Sequence, residues 1–499
     1  MKNTLLTLFI LLLNQVNAQI IEFPDVYFKE KLVTSTTTNS IAKDSNGNSI
    51  KVDINNDGEI EVSEALLVYE IRTNNFLSPI YDFTGISYFQ NLRKFKLSGI
   101  VIPSPTVFLD FTGLLNLEYI DCNNTGIQSL TVSGLTNLKD LHCIQNQLMT
   151  LDLTGLTSLE ILDCDVNNLT TLDVSDCVNL TSLDCHDNQI NNLNLSEITN
   201  LQFLRCYDNN ITSLDLSNMS NLLLLNCREN QLNSLSFNNT PLVTDIDCSM
   251  NNITTLDFSS CFAAERILCD SNNLTNINII GLSSLKELSC ISNELTNIDF
   301  TGANNIETIY CGSNLISEID ISNLTSLNLF QIVYNNLTTL NLNGLSQLNK
   351  INCRFNNLST LYIKNIAYNG LANELLAFGE NPNLFYICTD EGKIPLVQSL
   401  VNSYGNPSCI VDASCSLSSS NFDMEPEITL FPNPASTTLN INSKSEINSV
   451  AIYNTLGQLV LDFSIKTISS LDVSSLKSGN YFLKINSTTG IKTERFIKE

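Results

Sequence analysis

The 499-residue sequence is poor in several residue types, and each shortage excludes a class of protein. It has no tryptophan, two histidines, and 25 basic against 51 acidic side chains, so the formal net charge is -26. Nucleic-acid binding needs a basic surface that neutralises phosphates, which argues against DNA, RNA and anionic membranes as partners. No HExxH, GxSxG, Walker or Rossmann glycine pattern occurs. We therefore predict that the chain is not an enzyme.

Long apolar runs are also absent after the first residues. Residues 1–18 begin with a basic residue, Lys2, continue with an apolar run and end in small residues at Ala18, as a secretory signal peptide does. The run is too short for a membrane anchor, and no other stretch approaches about 18 apolar residues. The sequence predicts cleavage after Ala18, export, and no transmembrane segment in the mature chain.

The sequence is instead rich in leucine, asparagine and cysteine, which recur on a regular grid of period 21, the signature of a solenoid. Eleven cysteines lie on this grid, and Ile332 fills its one gap. Three residues after each grid position from Cys143 onward stands an asparagine, from Asn146 to Asn356. The grid cysteines are Cys122, Cys143, Cys164, Cys185, Cys206, Cys227, Cys248, Cys269, Cys290, Cys311 and Cys353.

A typical unit, NLKDLHCIQNQLMTLDLTGLT from Asn137, resembles the leucine-rich repeat with cysteine in place of one strand leucine. Leu141 and Cys143 alternate with outward residues, and the asparagine is expected to bond main-chain groups of its own and the next repeat. The resemblance implies a right-handed, mostly β solenoid with a concave parallel sheet and an irregular or short helical convex side. About twelve rungs would make a sheet roughly 55 Å long.

The solenoid is expected over residues 76–365, between an N-terminal cap at 19–75 and a C-terminal cap at 366–415. Cysteines on neighbouring parallel strands lie about 4.8 Å apart, slightly too far for a bridge, which favours buried free thiols over disulfides. No CxxC pair supports a metal site. Cys388 lies off the grid and Cys409 follows a predicted helix, so we predict a disulfide between them.

Before the repeats, the segment DINNDGEIEVSE matches the pattern of a calcium-binding EF-hand loop. Carboxylate, amide and carbonyl oxygens are the ligands that Ca²⁺ requires, and one structural Ca²⁺ in the N-terminal cap is the prediction. The alternative is a turn that caps the following stretch EALLVYEI, read as helical. The expected ligands are Asp53, Asn55, Asp57, Glu59, Glu61 and Glu64.

After a polar linker at 416–427, residues 428–499 change to short alternating strands, as in a small β-sandwich. This segment resembles the C-terminal sorting domain of type IX secretion systems of Bacteroidota, which implies passage through the outer membrane by that machinery. A carbohydrate-binding β-sandwich is the alternative, disfavoured by the lack of tryptophan. The motif residues that carry the resemblance are Pro432, Asn433, Pro434, Gly457, Gly479 and Tyr481.

The whole layout also resembles internalin-like leucine-rich-repeat proteins, although the cysteine ladder departs from their all-leucine repeat. We expect a secreted or surface-located protein, an adhesin that binds a protein partner through its concave sheet. Glycan binding and a structural surface coat are the alternatives, and an ordinary solvated face is the alternative for any one residue. The outward candidates are Asp163, Asp165, Asp184, His186, Asp187, Arg205, Tyr207, Asp208, Arg228 and Glu229 in one group, and Tyr310, Tyr334 and Arg354 in a second.

Overall fold

The computed structural model describes residues 19–74, 80–98, 108–367, 375–415, 428–443, 446–454, 458–463, 469–487 and 490–499. The chain divides into two compact units, Met1–Ala413 and Ser414–Glu499. The signal peptide, the predicted linker and Gly457 lie outside the described residues. The helical segments are the α-helices Val26–Val33, Val62–Ala65 and Ile394–Ser403 and the 3-10 turns Ile86–Tyr88 and Glu391–Lys393.

The first unit is a solenoid built on one sixteen-stranded sheet, which is parallel except for its first pair of strands. In the repeats, successive strands pair at the constant offset that the cysteine grid predicts, so that Leu162 opposes Leu183. The strands are, in order, Ala42–Lys43, Glu70–Asn74, Lys94–Ser98, Tyr119–Asp121, Asp140–His142, Ile161–Asp163, Ser182–Asp184, Phe203–Arg205, Leu224–Asn226, Asp245–Asp247, Arg266–Leu268, Glu287–Ser289, Thr308–Tyr310, Leu329–Gln331, Lys350–Asn352 and Leu376–Ala377.

The sheet is longer than the expected twelve rungs because both ends add strands that lack the repeat spacing. Glu70 pairs with Lys94 and Lys94 with Tyr119, and both offsets are wider than the offset within the repeats. Ile351 pairs with Leu376, again at a wider offset. The added strands Ala42–Lys43, Glu70–Asn74, Lys94–Ser98 and Leu376–Ala377 are not followed by a grid cysteine, so the repeat pattern did not reveal them.

The other side of the solenoid, here called the return side, consists of turns and short parallel strands. Within residues 108–367 it contains no helix, so the short helices allowed for the convex side are not found there. Its strands are Phe108–Asp110 with Ser129–Thr131, Leu172–Asp173 with Leu193–Asn194, Thr255–Asp257 with Asn276–Asn278, and the four-stranded set Thr339–Asn341, Thr360–Tyr362, Tyr386–Cys388 and Ile410–Asp412.

The asparagine of each repeat bonds four main-chain groups at the turn that leaves the strand; for Asn251 one of them is the Ser249 carbonyl, at 3.1 Å. Asn251 donates from Nδ2 to the carbonyl oxygens of Cys227 and Cys248, each at 3.1 Å, and its Oδ1 accepts from the Leu232 amide at 2.9 Å. Cys227 and Leu232 belong to the preceding repeat, not the next one. The side chain is 7% exposed, so water cannot replace these bonds easily.

The ladder cysteines are fully buried free thiols, as the spacing predicted. Burial raises the pKa of each, to about 12 for Cys206, because the thiolate would lose its hydration. Buried thiols of this kind pack as small hydrophobic side chains and resist oxidation.

The predicted Cys388–Cys409 disulfide is wrong. Cys409 is a buried free thiol, and the two disulfide-bonded cysteines are Cys388 and Cys415. The strand of Cys388 lies on the return side, where Cys388 pairs in register with Asp412. Cys409 precedes that last strand and packs into the core, where it is 4% exposed. It therefore does not form the disulfide with Cys388.

Aromatic and aliphatic side chains close the two ends of the solenoid core. At the N-terminal end the Phe28 ring lies 5.0 Å from the Phe83 ring, and the buried rings continue into the first repeats. The stretch EALLVYEI is not one helix: the helix ends at Ala65, and a strand begins at Glu70. At the C-terminal end, the helix Ile394–Ser403 buries Val397 and Val401 against the same core.

The second unit consists of two antiparallel sheets around one small hydrophobic core. Asn433 fastens its first loop to the last strand, because its Oδ1 accepts from the Ile497 amide at 2.8 Å. Tyr481 stacks on Phe496 and donates to the Lys477 carbonyl at 2.9 Å. The sheets are Ile428–Phe431, Thr438–Ser443 and Ser470–Asp472, and Leu459–Phe463, Ile447–Asn454, Gly479–Ser487 and Gly490–Lys498.

Replacing a ladder asparagine should destabilise the repeat array strongly. Asn251→Ala leaves two carbonyls and one amide buried without their partner, which should lower the free energy of unfolding by about 2–4 kcal/mol. Urea denaturation, with hydrogen exchange at Leu232, measures the loss. Asn252→Ala is the matched control, since Asn252 is exposed and should cost less than about 0.5 kcal/mol. Equal losses for the two variants would contradict the role of the ladder.

The fourteen free cysteines should be unreactive in the folded protein. We expect iodoacetamide at pH 8 to leave them unmodified until denaturant is added, because burial excludes the reagent and suppresses the thiolate. Mass spectrometry then counts the alkylated residues. Cys388 and Cys415 should become modified only after reduction; labelling of Cys415 without a reductant would show that the disulfide is absent.

Candidate functional site

Besides the residues that begin each strand, the outward face of the sixteen-stranded sheet carries three columns of side chains, and together these residues form what we call the sheet face. The first column comprises the residues before the ladder cysteines, and the second the residues after them. The third comprises the residues before the ladder asparagines, which adopt a left-handed conformation with φ from 51° to 58°. Because the strands of successive repeats pair at a constant offset, Asp165, His186 and Tyr207 are consecutive members of the second column.

A left-handed conformation is uncommon for residues other than glycine, and here it repeats regardless of residue type. Val166, Asp187 and Tyr334 all adopt it. The turn is imposed by the hydrogen bonds of the following asparagine, which hold the backbone in place. As a result, the third column presents its side chains at one edge of the sheet face; Asp187 and Tyr334, for example, are exposed.

His186 is surrounded by the carboxylates of Asp165, Asp184 and Asp187, and Asp163 lies opposite Asp184 on the preceding strand. We call these five residues the histidine cluster. His186 Nδ1 lies 2.5 Å from Asp184 Oδ1, a short hydrogen bond. Its Nε2 lies 3.6 Å from Asp165 Oδ2 and 3.9 Å from Asp187 Oδ2. The structure therefore brings together residues of three columns on two neighbouring rungs.

The histidine cluster includes the one group of described residues whose side chains can hold a metal ion. One ligand atom from each of Asp165, Asp184 and His186 lies within 4.8 Å of the others. The sequence placed these residues together as a binding surface but did not indicate a metal. The only available signal was that Asp165 and His186 share a column on adjacent rungs.

Burial and mutual repulsion shift the acid–base properties of the histidine cluster. Burial raises the pKa of Asp165 to about 6, and the charges of Asp184 and Asp163 act in the same direction while His186 opposes them. Burial lowers the pKa of His186, but its hydrogen bond to Asp184 and the neighbouring carboxylates outweigh this effect, so the pKa is raised.

The other histidine, His142, has a simpler environment. Its Nδ1 lies 2.6 Å from Asp163 Oδ2 on the next rung, and this hydrogen bond raises its pKa. The His142 ring also lies 5.4 Å from the ring of Tyr119. His142 thus forms a paired contact on the sheet face rather than a cluster.

Next to the histidine cluster lies a group that we call the arginine rim: Arg205, Tyr207, Asp208, Arg228 and Glu229. The Tyr207 ring stacks on the ring of His186, with centroids 4.2 Å apart and planes at 14°. Arg205 Nη1 lies 3.9 Å from Asp184 Oδ2, and Arg228 Nη2 lies 3.7 Å from Glu229 Oε2. A hydrogen bond shared with Asp187 raises the pKa of Asp208. The first candidate group is therefore one connected patch.

The second candidate group is only partly brought together. Tyr334 stacks on Phe355 at 4.3 Å, and the Arg354 guanidinium lies 5.2 Å from the centre of the Phe355 ring. Arg354 Nε is buried and, within the described residues, has no hydrogen-bond partner. Tyr310 lies on the same face, with no ring contact to this pair among the described residues.

The predicted calcium loop is compact, and its side chains bond its own backbone. Asp53 Oδ1 accepts from the Asn56 amide at 2.7 Å, Asn55 Oδ1 from the Asp57 amide at 2.9 Å, and Glu64 Oε1 from Ile54 at 2.7 Å. Among the described residues, the loop carboxylates do not form a set of three with ligand atoms all within 4.8 Å.

The remaining predicted ligands of the loop differ in their surroundings. Glu61 is buried and forms a capping box with Glu64 at the start of the helix Val62–Ala65. The Glu59 carboxylate pairs with Lys29 at 2.6 Å. In a loop of this pattern the position of Glu59 supplies its main-chain carbonyl, so this ion pair does not conflict with the loop pattern.

The comparisons with known proteins divide along the same two units. Residues 429–499 match the family model described as a secretion system C-terminal sorting domain. No curated protein matches the chain significantly. None of the helices among the described residues has the length and apolarity to cross a membrane.

The chain is similar to several solved structures. The functional domain of InlJ from Listeria monocytogenes, which includes a cysteine ladder, is 23% identical with a TM-score of 0.53, and the match covers 88% of this chain and 93% of that one. A leucine-rich-repeat protein of Leptospira interrogans is 19% identical with a TM-score of 0.45, over 66% and 91% of the two chains. YopM from Yersinia enterocolitica is 20% identical with a TM-score of 0.42, over 64% and 78%.

The repeat architecture and the C-terminal match account for both units of the chain. A sorting domain of this kind indicates export through the outer membrane to the cell surface or the medium. The chain is a leucine-rich-repeat solenoid similar to InlJ that carries a type IX secretion C-terminal sorting domain.

Proposed function

We propose that this exported chain is a non-catalytic adhesin that binds a protein partner through its sheet face. The observation that carries the proposal is the connected patch formed by the histidine cluster and the arginine rim. Solenoids present such faces as continuous binding surfaces, and leucine-rich-repeat folds commonly bind proteins. The patch lies on the regular part of the sheet, where strand pairing fixes its side chains.

The arginine rim has the composition of an interface centre. Arginine and tyrosine are enriched among residues that dominate binding energy, because they combine apolar area with directional hydrogen bonds. The side chains of Arg205 and Arg228 are 39% and 47% exposed, so their guanidinium groups remain accessible. The surrounding carboxylates favour a partner with basic groups at the matching positions, since complementary charge selects partners and speeds encounter.

We also propose that the loop from Asp53 to Glu64 binds one structural Ca²⁺. Asp53, Glu61 and Glu64 are 3–6% exposed, and burying three carboxylates without a cation is unfavourable. Gly58, with φ of 85°, supplies the turn that the pattern requires. The caps at 19–75 and 366–415 would then protect the two ends of the repeat array.

Calcium should stabilise the N-terminal cap of the full chain. With an affinity of roughly 0.1–1 mM, 10 mM Ca²⁺ should add about 1.4–2.7 kcal/mol to the cap's stability. Hydrogen exchange between Asp53 and Ala65, with and without EGTA, measures this. Glu64→Gln keeps an acceptor for the Ile54 amide but loses the charge and should not respond, whereas the exposed Glu30→Gln should respond as the wild type does. An identical response from Glu64→Gln would exclude this loop.

Binding of the protein partner should be lost when residues of the arginine rim are replaced by alanine. Pull-down with the full chain from host-matrix and bacterial-surface extracts, followed by surface plasmon resonance with each recovered protein, compares the wild type with an Arg205→Ala, Tyr207→Ala, Arg228→Ala variant. We expect at least a tenfold weaker affinity, since interface anchors contribute more than about 1 kcal/mol each.

The matched control replaces Glu265 and Lys286, an exposed ion pair of 2.8 Å outside the patch, and should bind normally. Circular dichroism checks that each variant is folded. Recovery of the same glycan by all variants would support the glycan alternative against this proposal. Strong self-association without any saturable partner would support a surface coat.

A further inference from the structure

His186 is held in a single orientation by two neighbours. Asp184 bonds Nδ1 at 2.5 Å, and the ring lies flat against Tyr207 at 4.2 Å. A carboxylate on one ring nitrogen fixes the neutral tautomer that leaves the lone pair on the other. The exposed coordination position is therefore Nε2, which faces Asp165 and Asp187.

The separations around Nε2 fit a small metal ion. Metal bonds of about 2.0–2.2 Å at tetrahedral angles place ligand atoms roughly 3.3–3.6 Å apart. Asp165 Oδ2 lies 3.6 Å from Nε2, at the upper end of this range. Asp187 Oδ2 lies 3.9 Å from Nε2, outside the range, and is not counted as a ligand. Asp184 is too close to Nδ1 to share an ion with it and instead acts on the ring.

A second, independent observation comes from Asp165. Its side chain is nine-tenths buried, and among the described residues its carboxylate accepts no hydrogen bond from another residue. His186 Nε2 lies 3.6 Å from this carboxylate, beyond hydrogen-bond distance, while Arg205 contacts Asp184 instead. The main-chain amide of Asp165 is the one donor to this carboxylate within the described residues, so the buried charge is incompletely compensated, and a cation at this point would compensate it.

We propose that His186 and Asp165 bind a divalent transition-metal ion, with Asp184 as the residue that orients the imidazole. Imidazole and carboxylate ligands suit Zn²⁺, Ni²⁺ or Cu²⁺ better than Ca²⁺, which takes six to eight oxygens. The remaining coordination positions are left to water or to a ligand at the sheet face. This site goes beyond partner recognition and does not depend on it, because the ion binds the chain alone.

The test titrates Zn²⁺ into the full chain by isothermal calorimetry, in 10 mM Ca²⁺ so that the N-terminal loop is saturated. We expect one equivalent to bind in the wild type. His186→Gln and Asp165→Asn should lose at least a hundredfold in affinity, and Asp184→Asn about tenfold to a hundredfold, as outer carboxylates typically do. Co²⁺, followed by its visible absorption, should show a spectrum that His186→Gln abolishes.

His142→Gln is the matched control, because His142 has the same histidine–aspartate hydrogen bond on the same face. It should bind Zn²⁺ within twofold of the wild type. Asp165→Asn should leave the metal-free melting temperature unchanged or raised, since it removes an unpaired buried charge. No stoichiometric uptake by the wild type, or equal losses in His142→Gln and His186→Gln, would overturn the proposal whether or not a protein partner is found.

Discussion

The hydrogen bonds of the ladder asparagines are the constraint on which the rest of the solenoid depends. Each one ties the turn after a strand to two places in the preceding repeat, as Asn251 does with Cys227 and Leu232. They hold the left-handed residue before the asparagine and keep the strands in register. That register is what aligns the outward side chains in columns, so the histidine cluster depends on bonds made on the buried side of the turn.

The regular part of the solenoid was predictable because every repeat packs the same residue types at the same positions. Cysteine at a fully enclosed position and asparagine at a buried turn recur together, and their spacing alone indicates parallel strands. The ends were not predictable in the same way. At the ends, the sequence separation between paired residues is larger than it is within the repeats. The strand that begins at Glu70 also pairs with Lys94 in a segment where the local sequence suggested that the helix continues.

The sequence predicted which residues of the candidate site are neighbours, but it did not predict how their side chains are oriented. Spacing places Asp165 beside His186, yet it does not indicate which ring nitrogen faces the carboxylate. That depends on Asp184 and on the Tyr207 ring, whose side-chain orientations follow from contacts across rungs. The disulfide prediction was wrong for a related reason. Cys388 belongs to a return-side strand, and the irregular spacing of the last repeat did not indicate that strand.

The two sides of each strand also affect one another. Burial is the main reason that the pKa of the Cys185 thiol is raised, and the outward carboxylates Asp184 and Asp165 add to it by repelling a thiolate. The acidic outer face therefore helps to keep the inner thiols protonated. A protein exported to an oxidising environment gains resistance to thiol oxidation from residues that do not touch the sulfur.

The constant offset between repeats has a consequence for how such a chain can change over generations. A duplication or deletion of one whole unit restores every asparagine and cysteine contact, so the length of the array can drift without loss of folding. The histidine cluster is different, because Asp165 and His186 must stay on successive units. Recombination between the two units would leave the solenoid folded but would separate Asp165 from His186. Most units can therefore be exchanged for one another, whereas these two must be kept together.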